Sequence, residues 1–331
     1  IAAALGLSIF YMPMMFGFGM SSALSPTLAQ TIGADPYGLD ALRRREETTR
    51  QLRADFRAGF WAVGLTALPA IAILTFARPL FGLLGQNPEL SATAALYVTA
   101  LLPALPFMLL IGVMRNLFSA LSRPRPALVI TLLWIGVNAL FNWVFIFGHF
   151  GIPALGVIGS GLATTCATLV STAIMVSAVM LHPATRAVRP FERFLRVDWA
   201  KVWRFVMLGF PIGLTLFFEG AVFNAALWLV GLFGADQLAG HQIAINVASL
   251  TFQVPLGIAF AQTVRVGYAA GAGDWHAVRR AGHVGQALAF AFMALTAFVM
   301  WTWPYEIAGV YLDLGDERSQ HAAMFAAQYL A

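Results

Sequence analysis

Glu219 is a single carboxylate in an oily setting, with Phe217 and Phe218 before it and Gly220 and Ala221 after it. It sits near the middle of an apolar stretch, residues 203–233, that reads as one long helix containing Gly209-Phe210-Pro211-Ile212-Gly213, a sequence that loosens or kinks a helix. Counting about 15 residues from either end, at a rise near 1.5 Å per residue, puts Glu219 roughly 22 Å deep, the middle of a bilayer. A carboxylate anion there costs several kcal/mol, so it must be protonated, hold a cation or face a wet cavity. Thr215 lies one turn before it and Phe223 one turn after, so one face offers a hydroxyl, a carboxyl and a ring. Proton or cation binding is the chemistry this pattern points to. The structural alternative is a neutral acid hydrogen-bonded to a neighbouring helix.

A second polar group lies at residues 138 and 142. Asn138 and Asn142 are one helical turn apart, with Trp134 and Phe145 on the same stripe. Two amides in an apolar segment need partners: they serve either as packing glue between helices or as oxygen ligands to a cation. Thr164 and Thr165 follow Gly159-Ser160-Gly161, whose small residues let that helix approach another closely. His241, Gln242 and Asn246 read as partners in interhelical hydrogen bonds, and Arg115 as a snorkelling residue near a span end. Cys166 is the only cysteine and excludes an intramolecular disulfide. The six histidines are scattered, with no metal-ligand spacing and no Ser-His or Cys-His constellation, so the reading is not an enzyme.

The elements that must carry these residues are membrane spans. Of 331 residues, 60% are hydrophobic and 11% charged, and the mean hydropathy is +0.77; an ordinary soluble domain has about 25% charged residues. The chain is therefore an all-α polytopic membrane protein. Apolar runs of bilayer length predict spans over 1–33, 56–84, 91–121, 126–148, 154–181, 203–233, 239–270 and 280–303, with a ninth beginning near Ser319. Alternate connections hold the basic residues, among them Arg43, Arg44, Arg45, Arg50 and Arg53, then Arg123 and Arg125, then Arg186, Arg189, Arg193, Arg196 and Lys201, then Arg279 and Arg280. The others carry little beyond Arg78, His149, Asp236, Asp313 and Asp316. The positive-inside rule makes the basic set cytoplasmic.

An internal repeat accompanies this alternation. Gly19 and Gly257, and again Gly33 and Gly271, are 238 positions apart. The repeat expects about 38 further residues before Ile1 and about 78 beyond Ala331, making an intact protein of about 450 residues in two six-helix halves.

Taken together, these residues resemble the multidrug and toxic compound extrusion (MATE) transporters, in their NorM-like branch. The most specific pieces are Gly209-Phe210-Pro211-Ile212-Gly213 with Phe217-Phe218-Glu219, Ala239-Gly240-His241-Gln242-Ile243-Ala244, Val254-Pro255-Leu256-Gly257, and Arg265-Val266-Gly267 with Gly271-Ala272-Gly273-Asp274. Asn138 to Asn142, followed by Phe145-Ile146-Phe147-Gly148 and Gly151-Ile152-Pro153-Ala154-Leu155-Gly156, also looks like this family. The resemblance implies a two-lobed exporter with pseudo-twofold six-helix repeats, of which this chain covers roughly helix 2 to the start of helix 10. Residues 1–182 would be the N-lobe, 183–200 the cytoplasmic linker and 201–331 the C-lobe.

It further implies exchange of organic cations, including drugs, for Na⁺ or H⁺ across a bacterial inner membrane, by a monomer with no cofactor and no nucleic-acid partner. Glu219 matches the family's cation-site acid in the C-lobe, and Asn138 and Asn142 its N-lobe polar pair; Thr215 and Thr164 are added as neighbouring hydroxyls. Na⁺, if it is the coupling ion, would be held by Glu219, Asn138 and Asn142. The family's first-helix aspartate would precede Ile1, and its tenth-helix aspartate would follow Ala331. The competing function is a lipid-linked saccharide flippase of a related two-lobed fold, whose anionic cargo would favour basic residues deep in the cavity.

Overall fold

Backbone polar groups in hydrocarbon must be satisfied internally, and a helix does this within each segment; the described residues contain helices and no strand. The computed structural model describes residues 2–35, 46–83, 87–231, 233, 235–311 and 317–330. Arg43, Arg44 and Arg45 of the first basic connection, and Asp313 and Asp316, lie outside the described residues, as does the side chain of Asp236. Seven spans are long and apolar enough to cross a membrane, and a bent pair of helices makes an eighth. The chain is a multi-pass integral membrane protein with all eight expected spans.

The first span is α1 (Ala2–Ser22) followed by α2 (Leu24–Gly33). The break has a local cause: Pro26 has no N–H to give the carbonyl of Ser22, four residues back. Pro13, by contrast, is accommodated inside α1. The second span, α3 (Glu46–Thr75), starts ten residues before the expected Phe56. Its first turn carries Glu46 and Glu47, which complement the positive helix N-terminus, so the helix extends beyond its apolar part. It also stops short of the expected end, turning at Phe76 into the brief α4 (Ala77–Leu83). The third span, read as one helix over 91–121, is instead α5 (Pro88–Leu101) and α6 (Ala104–Ala120), bent by 45°. Pro103 sits in that break, where it withholds the backbone donor a continuous helix needs.

Five spans then follow as single helices. They are α7 (Arg125–Phe147), α8 (Gly156–Leu181), α10 (Trp199–Gly231), α11 (Ala235–Gly271) and α12 (Trp275–Thr302), with α9 (Pro183–Val188) a short helix between α8 and α10. The chain continues through α13 (Pro304–Gly309) and α14 (Glu317–Leu330). α10 runs unbroken through Pro211. On α7, Leu128, Leu132, Ile135 and Phe147 are 55–66% exposed. So wide an apolar face needs an apolar partner, lipid or another protein surface.

The helices form two compact units, Ile1–Phe218 with Ala270–Gly273, and Glu219–Ala269 with Asp274–Ala331. The first unit has a core of Phe10, Leu74, Phe81, Tyr97, Val98, Leu101 and Leu105. The second has a smaller one of Ile243, Val247, Ala308, Ala323 and Ala326. Since lipid is as apolar as leucine, close backbone approach supplies much of the packing energy, and small residues permit it. In the first unit α1 crosses α10 at glycines: a Cβ on Gly19 would lie 2.6 Å from the Cα of Gly213, and one on Gly213 would lie 2.7 Å from the carbonyl oxygen of Phe16.

Gly64 on α3 differs, because a Cβ added there would have nothing within 4 Å of it. Gly19→Ala should therefore destabilise the protein by about 1–3 kcal/mol through overpacking. Gly64→Ala should gain about 0.5–1 kcal/mol of helix propensity. Thermal unfolding of the two variants in detergent, side by side, checks this.

Candidate cation and substrate site

The site in the first unit is built by the hairpin of α7 and α8. α7 ends at Gly148, which takes the left-handed conformation (φ 77°) that helix ends favour in glycine, and its N–H bonds the carbonyl of Val144. The returning chain bonds α7 again, Leu155 N–H to the carbonyl of Phe145 at 2.9 Å. Gly159 then lies so close to α7 that a Cβ would sit 2.5 Å from the carbonyl oxygen of Phe145. Only glycine allows this contact, and it sets how near the next turns of α8 come to α7.

Those turns bring Thr164 opposite Asn138. Asn138 Nδ2 donates to Thr164 Oγ1 at 3.3 Å, and Asn142 Nδ2 donates at 2.9 Å to both the backbone and side-chain oxygens of Asn138. Thr164 in turn donates to the carbonyl of Ser160 at 3.1 Å. Asn138, Asn142 and Thr164 thus form one connected group. One atom of it is left over: Asn142 Oδ1 is buried and has no hydrogen-bond partner. A buried acceptor without a partner costs about 1–3 kcal/mol, so this oxygen is poised for a cation or a proton donor.

The group borders a cavity of about 430 Å³, of which Thr164 forms part of the wall. α1 contributes Phe10, Tyr11 and Phe18, α5 contributes Tyr97, and α7 contributes Thr131 and Trp134. On α8 the wall continues with Thr168 and Ser171. The lining joins aromatic faces to a few hydroxyls, the surface a planar apolar cation fits. Sequence reasoning places Trp134 on the Asn138 stripe but misses Thr168 and Ser171. Their spacing from Thr164, four and seven residues, is a polar helical stripe and a readable signal.

The boundary between the units falls between Phe218 and Glu219, so Thr215 belongs to the first unit and Glu219 to the second. Thr215 is exposed, and its hydroxyl donates to the carbonyl of Pro211 at 2.9 Å, within its own helix. Glu219 is also exposed and makes no hydrogen bond or ion pair among the described residues. Neighbours along α10 are bare hydrocarbon: Phe218, Val222 and Phe223 are 55–67% exposed. In the second unit His241 stacks edge-on against Tyr329, with ring centroids 5.9 Å apart, while its Nε2 is buried without a partner. The interhelical bonds expected of His241, Gln242 and Asn246 are not formed among the described residues. Those residues contain no cluster of three or more His, Cys, Asp or Glu that could hold a metal.

Helical spans of this order, with a cavity of aromatic rings and a few hydroxyls among them, are the architecture of a membrane transporter. The family model described as MatE matches residues 2–144 and 211–331. A protein named probable multidrug resistance protein NorM from Mesorhizobium japonicum is 41% identical over 99% of this chain and 68% of its own length. One of the same name from Brucella suis is 34% identical over 100% of this chain and 68% of its own length. Among solved structures, a mutant of a Vibrio cholerae MATE transporter superposes with a TM-score of 0.84 at 16% identity, covering 99% of this chain and 70% of the other. A MOP superfamily transporter from Pyrococcus furiosus gives 0.82 at 19% identity, over 99% and 69%. The chain belongs to the MATE family, and it spans about two thirds of the length of these relatives. Asn138 and Asn142 fall in the matched stretch and Thr164 outside it.

Thr131 lines the cavity, while Leu132 is 59% exposed on the outer face of α7. In a Cys166→Ala background, Thr131→Cys should react with a membrane-impermeant, water-soluble thiol reagent and Leu132→Cys only with a membrane-permeant one. Equal reactivity at the two positions would contradict the wall described here.

Proposed function

We propose that the protein is a cation-coupled antiporter that exports organic cations and drugs across the bacterial inner membrane, driven by Na⁺ or H⁺, with Glu219 and the Asn138–Asn142–Thr164 group as its cation-responsive sites. The observation that carries this reading is the buried, unpartnered Asn142 Oδ1 in a hydrogen-bonded group whose Thr164 forms part of the wall of an aromatic-lined cavity. The multidrug resistance names of relatives at 34–41% identity support the substrate class. In this reading residues 1–182 form the N-lobe, 183–200 the linker and 201–331 the C-lobe. The protein acts as a monomer and needs no cofactor.

The two sites divide the chemistry. The asparagine-threonine group has no titratable side chain, so it contributes only oxygen dipoles to a cation or an acceptor to a proton donor. Glu219 can bind a proton, balance Na⁺ or balance a cationic drug. If ion and drug compete for the acid, each favours release of the other, and reciprocal linkage suffices to couple them. Export follows when the acid is exposed to the two sides in turn.

The flippase alternative would draw on Arg115. That side chain lies over the ring of Phe18, 5.3 Å from its centroid, and Phe18 is part of the cavity wall. Arg115 itself is absent from the wall, which is aromatic and hydroxylic, so the cation reading is preferred.

Two variants test the proposal in proteoliposomes. Glu219→Gln should reduce ion-coupled export of a fluorescent cation to background while the protein remains folded, because an amide keeps hydrogen bonds but neither releases a proton nor balances a cation. Export at the wild-type rate under the same gradient would rule out the role given to Glu219. Asn142→Leu removes the unpartnered acceptor but also the donor that serves Asn138, two opposing effects of about 1–3 kcal/mol each, so its stability should stay within about 1 kcal/mol of wild type. Its half-saturating concentration of coupling ion should rise about tenfold or more. A stability loss with unchanged ion dependence would make Asn142 a packing residue.

A further inference from the structure

Residues 182–198 join α8 to α10 and fold back on the start of α3. Arg53 holds this segment twice: its Nε donates to the carbonyl of Val188 at 3.0 Å, and its guanidinium pairs with Glu192 at 3.0 Å. Arg57 donates to the carbonyl of Arg193 at 2.7 Å, and Trp61 Nε1 to that of Phe194 at 3.2 Å. Phe194 packs edge-on against Phe60 with centroids 4.9 Å apart, and Phe191 against Phe56 at 5.9 Å. The connection is therefore a fixed surface, docked on α3 by hydrogen bonds and rings.

This docking engages two of the local acids and leaves most of the local bases. Glu192 is shared by Arg53 at 3.0 Å and Arg189 at 3.8 Å, while Asp55 is taken by Lys201 at 2.7 Å and by the Thr31 hydroxyl at 3.0 Å. Asp198 accepts the backbone N–H of Lys201 at 3.2 Å. Arg57 meanwhile lies within electrostatic reach of Arg53, Arg193 and Arg196, against which Asp198 is the acid in reach, and its Nε is buried without a hydrogen bond. Arg193 and Arg196 are exposed, with no ion pair among the described residues. A cluster of guanidinium groups is thus left without enough counter-charge.

The apolar neighbours of the cluster point to the missing partner. Leu195 is 84% exposed, and Trp199 and Trp203, one turn apart where α10 begins, are 62% and 63% exposed. Tryptophan collects at the membrane–water boundary, and α10 enters the bilayer here. Guanidinium groups match phosphate geometrically, and the positive-inside rule assigns this edge to the leaflet that carries anionic lipid. A soluble anion would satisfy the arginines but leave Leu195, Trp199 and Trp203 uncovered. We propose that Arg57, Arg193 and Arg196, with Leu195, Trp199 and Trp203, bind an acidic phospholipid of the cytoplasmic leaflet, the phosphate on the arginines and the glycerol and upper acyl chain along the tryptophans. The lipid supplies the counter-charge that the docked connection lacks.

The test is a lipid titration of the purified transporter in detergent, read by melting temperature. Phosphatidylglycerol should raise the melting temperature, whereas phosphatidylcholine and inorganic phosphate should not. The double variant R193Q/R196Q should need about thirtyfold more phosphatidylglycerol for the same shift, since each surface cation contributes roughly fivefold to anionic-lipid binding. The double variant R279Q/R280Q, which removes two exposed arginines from the start of α12, should titrate like wild type. W199A/W203A should weaken the response to phosphatidylglycerol while Arg193 and Arg196 remain. Equal shifts with phosphatidylcholine, an equal shift with inorganic phosphate, or an equal loss in R279Q/R280Q would each overturn the site.

Discussion

In hydrocarbon a polar atom without a partner costs several kcal/mol, and this constraint orders the rest of the structure. Most span hydroxyls meet it locally, by donating to a carbonyl one turn back: Thr131 to Ala127 at 2.9 Å, Thr172 to Thr168 at 2.7 Å, Thr215 to Pro211 at 2.9 Å, Thr251 to Val247 at 3.1 Å. Against that background the few buried side-chain atoms without partners, Ser25 Oγ, Arg57 Nε, Asn142 Oδ1 and His241 Nε2, are informative. A serine hydroxyl is small and rotates freely. Asn142 cannot adapt in that way, because its amide nitrogen is already committed to Asn138, which fixes where the oxygen points.

The same constraint explains why glycine decides where these polar groups stand. A helix interface wide enough for ordinary side chains would leave Asn138 and Thr164 too far apart to bond. Gly159 closes the α7–α8 interface at Phe145, and the 3.3 Å bond from Asn138 to Thr164 follows further along the same interface. Gly161 repeats the device against α5, where a Cβ would fall 3.0 Å from the carbonyl oxygen of Tyr97. Tyr97 in turn lines the cavity. Cavity shape and amide geometry thus share one origin, the close backbone approach of α8 to two neighbours.

Much of this is legible from the chain alone, and the reason differs by feature. Span number comes through because a bilayer imposes one length on every crossing, which is why eight apolar runs become eight spans. Span interiors come through less well: Pro103 breaks the third span whereas Pro13, Pro211 and Pro255 sit inside continuous helices. A proline removes one donor wherever it falls, but whether the helix breaks depends on what its neighbours can do for the freed carbonyl, and a one-dimensional pattern does not carry that. The pairing of Asn138 with Thr164 is suggested only loosely by the Gly159-Ser160-Gly161 run. The stripe of Thr164, Thr168 and Ser171 is present in the spacing but easily passed over, because hydroxyls in spans are usually absorbed by their own backbone. The expected interhelical bonds of His241 and Gln242 have no counterpart among the described residues, for two different reasons: Gln242 lies on an exposed face of α11, and His241 turns its ring edge-on to Tyr329 with its buried Nε2 unpartnered.

Charge accounting carries the proposed antiport one step further. Asn138, Asn142 and Thr164 are neutral, so a Na⁺ ion held by them alone would bring a full positive charge into a low-dielectric region with only dipoles to stabilise it. Cation sites in such surroundings combine oxygen ligands with at least one carboxylate, because only a net charge offsets most of the desolvation cost. Neutral ligands can choose among cations by size and geometry, but they cannot by themselves make binding compete with a cationic drug. Competition requires a carboxylate, and Glu219, exposed on an apolar helix and without a hydrogen bond or ion pair among the described residues, is the acid to which we assign it. On this reading the amide group tunes which ion is accepted, while the acid makes ion and drug mutually exclusive. The two roles therefore separate in their response to mutation, one altering ion preference and the other abolishing exchange.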